Sequence, residues 1–220
     1  MIKGAIFDID GTLIDSMFIW NDLGVKYVKS LGKIPENNLG YELSLRNIDD
    51  GSEYIRDTYA RNFEVSVVKQ GILNLVRDFY YHEVKLKPGV RGFLTALADR
   101  GIKMTLATGG ERELAEAALC RLGVLDMFDG IFTCNELKTT KNLPLIYNTA
   151  AAHIGCKPCE TLVFEDVLHA VQTAGNAGFI TVGIADETSA SDREEIIANS
   201  DYYLDGYENL DGFLDFILTK

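Results

Sequence analysis

The chain has 220 residues, 47% of them apolar and 25% charged, and carries a formal net charge of −12 at pH 7. It is long enough to bury a core in one large domain, or in a larger domain carrying a smaller one, and this composition excludes a disordered or low-complexity chain. The negative charge argues against nucleic acid as a partner, because nonspecific binding to a phosphate backbone rests on Lys and Arg displacing counterions.

No apolar run is long enough to span a bilayer, and Met1-Ile2-Lys3 leads into a strand pattern instead of a secretory signal, so the expectation is a cytoplasmic protein with no membrane partner. Residues 3–7 read as an apolar strand, followed by the polar loop Asp8-Ile9-Asp10-Gly11-Thr12 with glycine where the chain must turn sharply. Asp15 reads as a helix cap. From residue 16 to 86 apolar residues recur at helical spacing and no strand-like run occurs, so this block is expected to be all helical. Lys87-Pro88-Gly89 is a turn signal that ends it. Further strands are expected at 102–107, 131–134, 161–164 and 180–184, with helices at 90–99, 111–122, 145–154 and 168–177.

Strands alternating with helices imply an α/β fold built on a doubly wound parallel sheet. The expected organisation is an α/β catalytic core from 1–15 and 87–220, with an inserted helical cap domain at 16–86. An insertion at the carboxyl end of a strand would overhang the edge where open α/β sheets bind ligands. The cysteines are expected to be reduced: Cys120 and Cys134 read as core, and Cys156 and Cys159 as a turn, since a zinc site would need two further ligands.

Residues that directly follow strands collect at one edge of such a sheet. Here they are Asp8 and Asp10, then Thr108, Gly109 and Gly110, then Glu165 and Asp166, with Lys141 between the third strand and its helix. Any one of these loops is unremarkable, because Asp and Gly are common turn residues. Carboxylates gathered at one edge repel unless a hard divalent cation neutralises them through oxygen ligands. Magnesium suits this set better than calcium, since it takes one or two carboxylates together with waters and a substrate phosphate.

Phe7-Asp8-Ile9-Asp10-Gly11-Thr12-Leu13, Leu106-Ala107-Thr108, Lys141 with Pro144 and Tyr147, and Val163-Phe164-Glu165-Asp166 with Ala174, Ala177 and Gly178 fall in the order of four family motifs. On these residues the chain resembles the haloacid dehalogenase-like hydrolase superfamily, in the helical-cap subgroup that includes β-phosphoglucomutase-like phosphatases. It departs from the usual pattern at Asn142, Leu145, Val167 and Ala170.

The resemblance implies a fold, a reaction and roles. Asp8 would be the nucleophile that forms an aspartyl-phosphate, and Asp10 the general acid and then base. Thr108, Lys141 and the backbone around Asp10 and Gly109 would hold the phosphoryl oxygens. Mg2+ would be bound by Asp8, Asp166, the Asp10 carbonyl and Glu165, the last as ligand or in support. An aspartate at position 10 points to phosphoryl transfer and away from dehalogenation. The implied activity is magnesium-dependent hydrolysis of a small phosphorylated metabolite by a monomer or weak homodimer. A sugar-phosphate mutase and a non-catalytic phosphoryl-sensing module are the competing readings. In the insertion Trp20, Asn21, Tyr41, Ser44, Arg46 and Asn47 are candidate substrate contacts, Arg46 for a second anionic group. His82, His153 and His169 receive no catalytic role.

Overall fold

The computed structural model describes residues 1–220, except for the side chains of Trp20, Asn21 and Ser44, so those three candidate contacts lie outside the described residues. In chain order the elements are β1 (Gly4–Phe7), β2 (Ile14–Asp15), α1 (Ile19–Ser30), α2 (Leu39–Ser44), α3 (Ile48–Tyr59), α4 (Val65–Asp78), β3 (Lys85–Leu86), α5 (Val90–Ala98), β4 (Lys103–Thr108), α6 (Arg112–Arg121) and β5 (Ile131–Thr133). There follow α7 (Leu145–His153), β6 (Thr161–Glu165), α8 (Leu168–Asn176), β7 (Ile180–Ile184), α9 (Arg193–Asn199), β8 (Tyr202–Leu204) and α10 (Leu210–Leu218). No helix among the described residues is long and apolar enough to cross a membrane.

The chain packs as two compact units, Met1–Asp15 with Lys85–Lys220, and Ser16–Val84. In the first, six parallel strands lie in the order β5-β4-β1-β6-β7-β8, the doubly wound sheet that alternating strands and helices imply. β1 is fully buried between β4 and β6. Side chains alternate across a strand, so Ile6 and Val163 face one side, where Ile146, Tyr147, Ala150 and Ala174 from α7 and α8 cover them. Phe7 and Phe164 face the other, stacked at 4.1 Å, and Phe93 and Phe213 from α5 and α10 close over them. Each such ring removed from water contributes about 2–3 kcal/mol.

The second unit is a helical packing of α1 to α4, with Leu23, Tyr27, Ile55, Val68, Ile72 and Val76 in its interior.

Four expectations are corrected. Lys85 and Leu86 fall in the block read as all helical, yet they form β3, pairing with Ile14 and Asp15 in a short antiparallel ribbon. Asp15 therefore caps no helix: it belongs to β2, and α1 starts at Ile19 after Phe18. Cys120 is exposed, because α6 turns Ala115, Ala118 and Leu119 inward instead, whereas the half-buried Cys134 does pack against the core. β8 adds a sixth strand; its three residues are held by pairing with β7.

Candidate active site

The register of the sheet builds the site. Phe7 pairs with Phe164 and with Leu106, so the residues one step on, Asp8, Glu165 and Ala107-Thr108, end three adjacent parallel strands at the same height. Asp8 and Glu165 share the face of Ile6 and Val163, toward α7. This is the point where the chain order reverses across the sheet, the place where open α/β sheets bind ligands.

Asp8, Glu165, Asp166 and Thr108 are all buried. One carboxylate oxygen from each of Asp8, Glu165 and Asp166 lies within 4.8 Å of the others. The Lys141 ammonium ion-pairs with Asp8 Oδ1 and, at 2.8 Å, with Glu165 Oε1. Burial pushes the Lys141 pKa down, but the charges of Asp8 and Glu165 outweigh it and hold the group protonated. Tyr147 donates its hydroxyl to the same Glu165 oxygen at 2.8 Å, and Thr12 donates to Asp166 Oδ1 at 3.1 Å. Glu165 Oε2 and Asp166 Oδ2 are buried without a hydrogen-bond partner.

Burial, reinforced by the neighbouring charge of Asp8, pushes both the Glu165 and Asp166 carboxyl groups above the ordinary carboxylate range. Two orphaned buried oxygens and a third acid at that spacing fit a hard divalent cation with oxygen ligands.

The loop from Asp8 to Leu13 folds back on itself: the amides of Leu13 and Ile14 donate to Ile9, and that of Gly11 to Ile14. Gly11 has φ 80°, which a side chain would strain. Tyr207 fastens the loop by donating to the Thr12 carbonyl at 3.1 Å. The Asp10 carboxylate closes on the neighbouring loop, since a Cβ on Gly110 would meet its Oδ2 at 3.1 Å and Thr108 Oγ1 at 3.3 Å. Thr108 Oγ1 accepts from the Gly110 amide at 2.9 Å. Gly109 stands in open space.

Of the residues singled out in the sequence, Asp8, Lys141, Glu165 and Asp166 are in direct contact or within one cluster, and Asp10, Thr108 and Gly110 meet beside one another. Arg46 is engaged inside the helical unit. It bonds the Glu42 carbonyl and carboxylate, and its guanidinium lies 4.6 Å from the Tyr54 ring centre, so an anionic ligand would have to compete with these partners. Asn47 caps α3 by accepting from the amides of Asp49 and Asp50, which accounts for it locally. Tyr41 is exposed, and His153 bonds the Asp129 carbonyl.

Several contributors escape a sequence reading. Lys87 pairs with Asp186 at 2.8 Å and donates to the Ala185 carbonyl at 2.7 Å, tying the segment after β3 to the loop after β7. Arg112 grips Glu136 with two bonds of 2.5 and 2.6 Å and the Ile131 carbonyl at 2.8 Å, joining the start of α6 to β5 and to the loop that leads to Lys141. Tyr147 and Thr12 stand inside recognisable motifs, but only as pattern residues; nothing local in sequence says which carboxylate each will reach. Val167 starts α8 without a side-chain cap, and the Asn142 amide turns back to Thr140 Oγ1 at 3.3 Å.

An α/β sheet with acids after its central strands and a lysine bridging two of them defines a class of hydrolase. The profile of the haloacid dehalogenase-like hydrolases matches residues 2–178, and the chain belongs to that family. Hexitol phosphatase B of Escherichia coli O157:H7 is 27% identical over 202 residues, 90% of each chain. Validoxylamine A 7'-phosphate phosphatase of Streptomyces hygroscopicus subsp. limoneus is 25% identical over 223 residues, 93% of each chain. Among solved structures, a Thermotoga maritima protein assigned as a β-phosphoglucomutase has a TM-score of 0.86 at 23% identity, covering 97% of this chain and 99% of that one; this likeness is one of fold.

Proposed function

We propose that the chain is a magnesium-dependent phosphatase that hydrolyses a small phosphomonoester through an aspartyl-phosphate on Asp8. The observation that carries this reading is the gathering of Asp8, Glu165 and Asp166, two of them with an orphaned buried oxygen, beside the Lys141 ammonium.

Asp8, Asp166, Glu165 and the Asp10 carbonyl would hold Mg2+, which supplies the positive charge that lets a carboxylate approach an anionic phosphate. The Asp8 carboxylate attacks phosphorus in line while the bond to the leaving oxygen breaks, and the Asp10 carboxyl gives that oxygen its proton. Asp10, now ionised, takes a proton from the water that attacks the aspartyl-phosphate, which releases inorganic phosphate and restores Asp8. Lys141, the Thr108 hydroxyl and the amides around Asp10 and Gly109 stabilise charge on the phosphoryl oxygens. The core acts on the phosphoryl group alone, so we assign substrate choice to the inserted residues 16–86, as a cap.

The test is a phosphate-release screen over sugar phosphates, nucleotides and small phosphorylated acids, with and without Mg2+. Release should require Mg2+ and should vanish in a folded Asp8→Asn protein. Undiminished turnover in excess chelator would remove the cation from the reading, and substantial hydrolysis by Asp8→Asn would remove the covalent step.

A further inference from the structure

We propose that Tyr147 is a positioning residue that fixes Glu165 as a one-oxygen ligand and thereby sets the preference of the site for Mg2+ over Ca2+; this rests on the cation reading above. Tyr147 lies on α7, wholly buried, with its ring among Ile6, Ala107, Val163 and Phe179. Only its hydroxyl leaves the apolar cluster, to meet Glu165 Oε1 at 2.8 Å. The Lys141 ammonium reaches the same oxygen at 2.8 Å.

A carboxylate oxygen has room for about two such donors. Oε1 is therefore filled, and Oε2, buried and without a partner, is the oxygen left for a cation. For Glu165 to present both oxygens it would have to surrender the tyrosine bond, loosen the lysine bond and turn its carboxylate in a packed interior. Mg2+ needs near-octahedral geometry with one oxygen per ligand, whereas Ca2+ accepts more oxygens and often takes a carboxylate by both. Holding Glu165 to a single oxygen thus suits the smaller ion. The hydroxyl itself touches no reacting atom, and the ring would pack equally well without it, so a phenylalanine tests the bond and little else.

The experiment measures binding of Mg2+ alone and of Ca2+ alone to the full chain by titration calorimetry, in wild type, Tyr147→Phe, Glu165→Gln and the double variant. Tyr147→Phe should keep a native circular dichroism spectrum and lose roughly 10–100-fold in Mg2+ affinity, as loss of an outer partner of a metal ligand does. Ca2+ affinity should fall much less, moving the ratio of the two constants about tenfold toward Ca2+. In the Glu165→Gln background the same substitution should leave that ratio unchanged, because Tyr147 acts through the glutamate.

Equal losses for both ions, no loss for either, an unfolded Tyr147→Phe protein, or the same ratio change in both backgrounds would each overturn the inference. A wild-type protein that takes up no Mg2+ would instead overturn the cation reading on which it stands.

Discussion

Lys87 and Asp186 form an ion pair at 2.8 Å across 99 positions of sequence, with side chains only 14% and 6% exposed. Lys87 is also fastened through its amide to the Leu13 carbonyl, so one residue joins the loop after β1, the ribbon and the loop after β7. Removing one partner leaves a buried charge without its counterion, which costs about 3 kcal/mol or more. Lys87→Met should lower unfolding stability by about that much in urea denaturation, and Lys87→Met with Asp186→Asn should recover part of the loss. Equal stability of the single and double variants would mean that the pair is not coupled.

The acids of the site make stability depend on pH in a direction opposite to that of Asp186. Glu165 and Asp166 have raised pKa values in the cation-free protein, so the folded state holds protons that the unfolded chain has released. Their contribution is full below the ordinary carboxylate range and declines as pH rises toward their folded pKa values. Asp186 is destabilised by burial, but the bonds from Lys87 and Thr188 outweigh this and lower its pKa; its contribution is lost as pH falls instead. In chelator, thermal melts should show a loss of stability from mildly acidic to neutral pH that Glu165→Gln reduces. Mg2+ should stabilise increasingly over the same range, because it needs the acids ionised. A Mg2+ effect independent of pH would contradict this.

Asp10 has two proposed roles on different atoms. Asp10→Asn keeps the backbone carbonyl but cannot transfer a proton, so Mg2+ affinity should change little while turnover falls by roughly 10²–10⁴-fold. An aryl phosphate with a good leaving group should still phosphorylate Asp8, and the aspartyl-phosphate should then accumulate; an alkyl phosphate should stall before that. Rapid-quench comparison of the two substrates separates these outcomes. A common small loss on both would make the Asp10 carboxylate an organiser of the loop.

Adjacent glycines should respond unequally to alanine. At Gly110 the new Cβ would press on Asp10 Oδ2 at 3.1 Å and Thr108 Oγ1 at 3.3 Å, whereas at Gly109 it meets nothing within 4 Å. The displacement at Gly110 amounts to a few tenths of an ångström, so kcat should fall by about tenfold, short of the 10²-fold that a full ångström costs. Gly109→Ala should lose less in kcat. The reverse order would show that the close contact at Gly110 has no part in aligning Asp10.

Much of the core was legible because its signals are local. The apolar runs that became β1, β4, β5, β6 and β7 carry their own pattern, and a parallel sheet brings their carboxyl ends together whatever lies between, so Asp8, Thr108, Glu165 and Asp166 could be placed at one edge from sequence alone. The ribbon of β2 and β3 and the strand β8 could not. Two or three residues have no period of their own and become strands only when a partner supplies the hydrogen bonds. Asp15 reads locally as a helix cap for that reason, this being the nearest local role for an acid before a helical stretch.

The sequence by itself thus determined which residue types stand at the edge of the sheet, through hydrophobic period and loop composition. Only the tertiary structure decided how they are wired. Tyr147 to Glu165, Thr12 to Asp166 and Lys87 to Asp186 are separated by 18, 154 and 99 positions. Which oxygen of each acid is filled and which stays without a partner depends on directions and distances of an ångström or less, set by how α7 packs on β1, β4 and β5 and by the return of the chain after β7. No periodicity in the chain encodes those directions, because they arise from packing between segments that are distant in sequence.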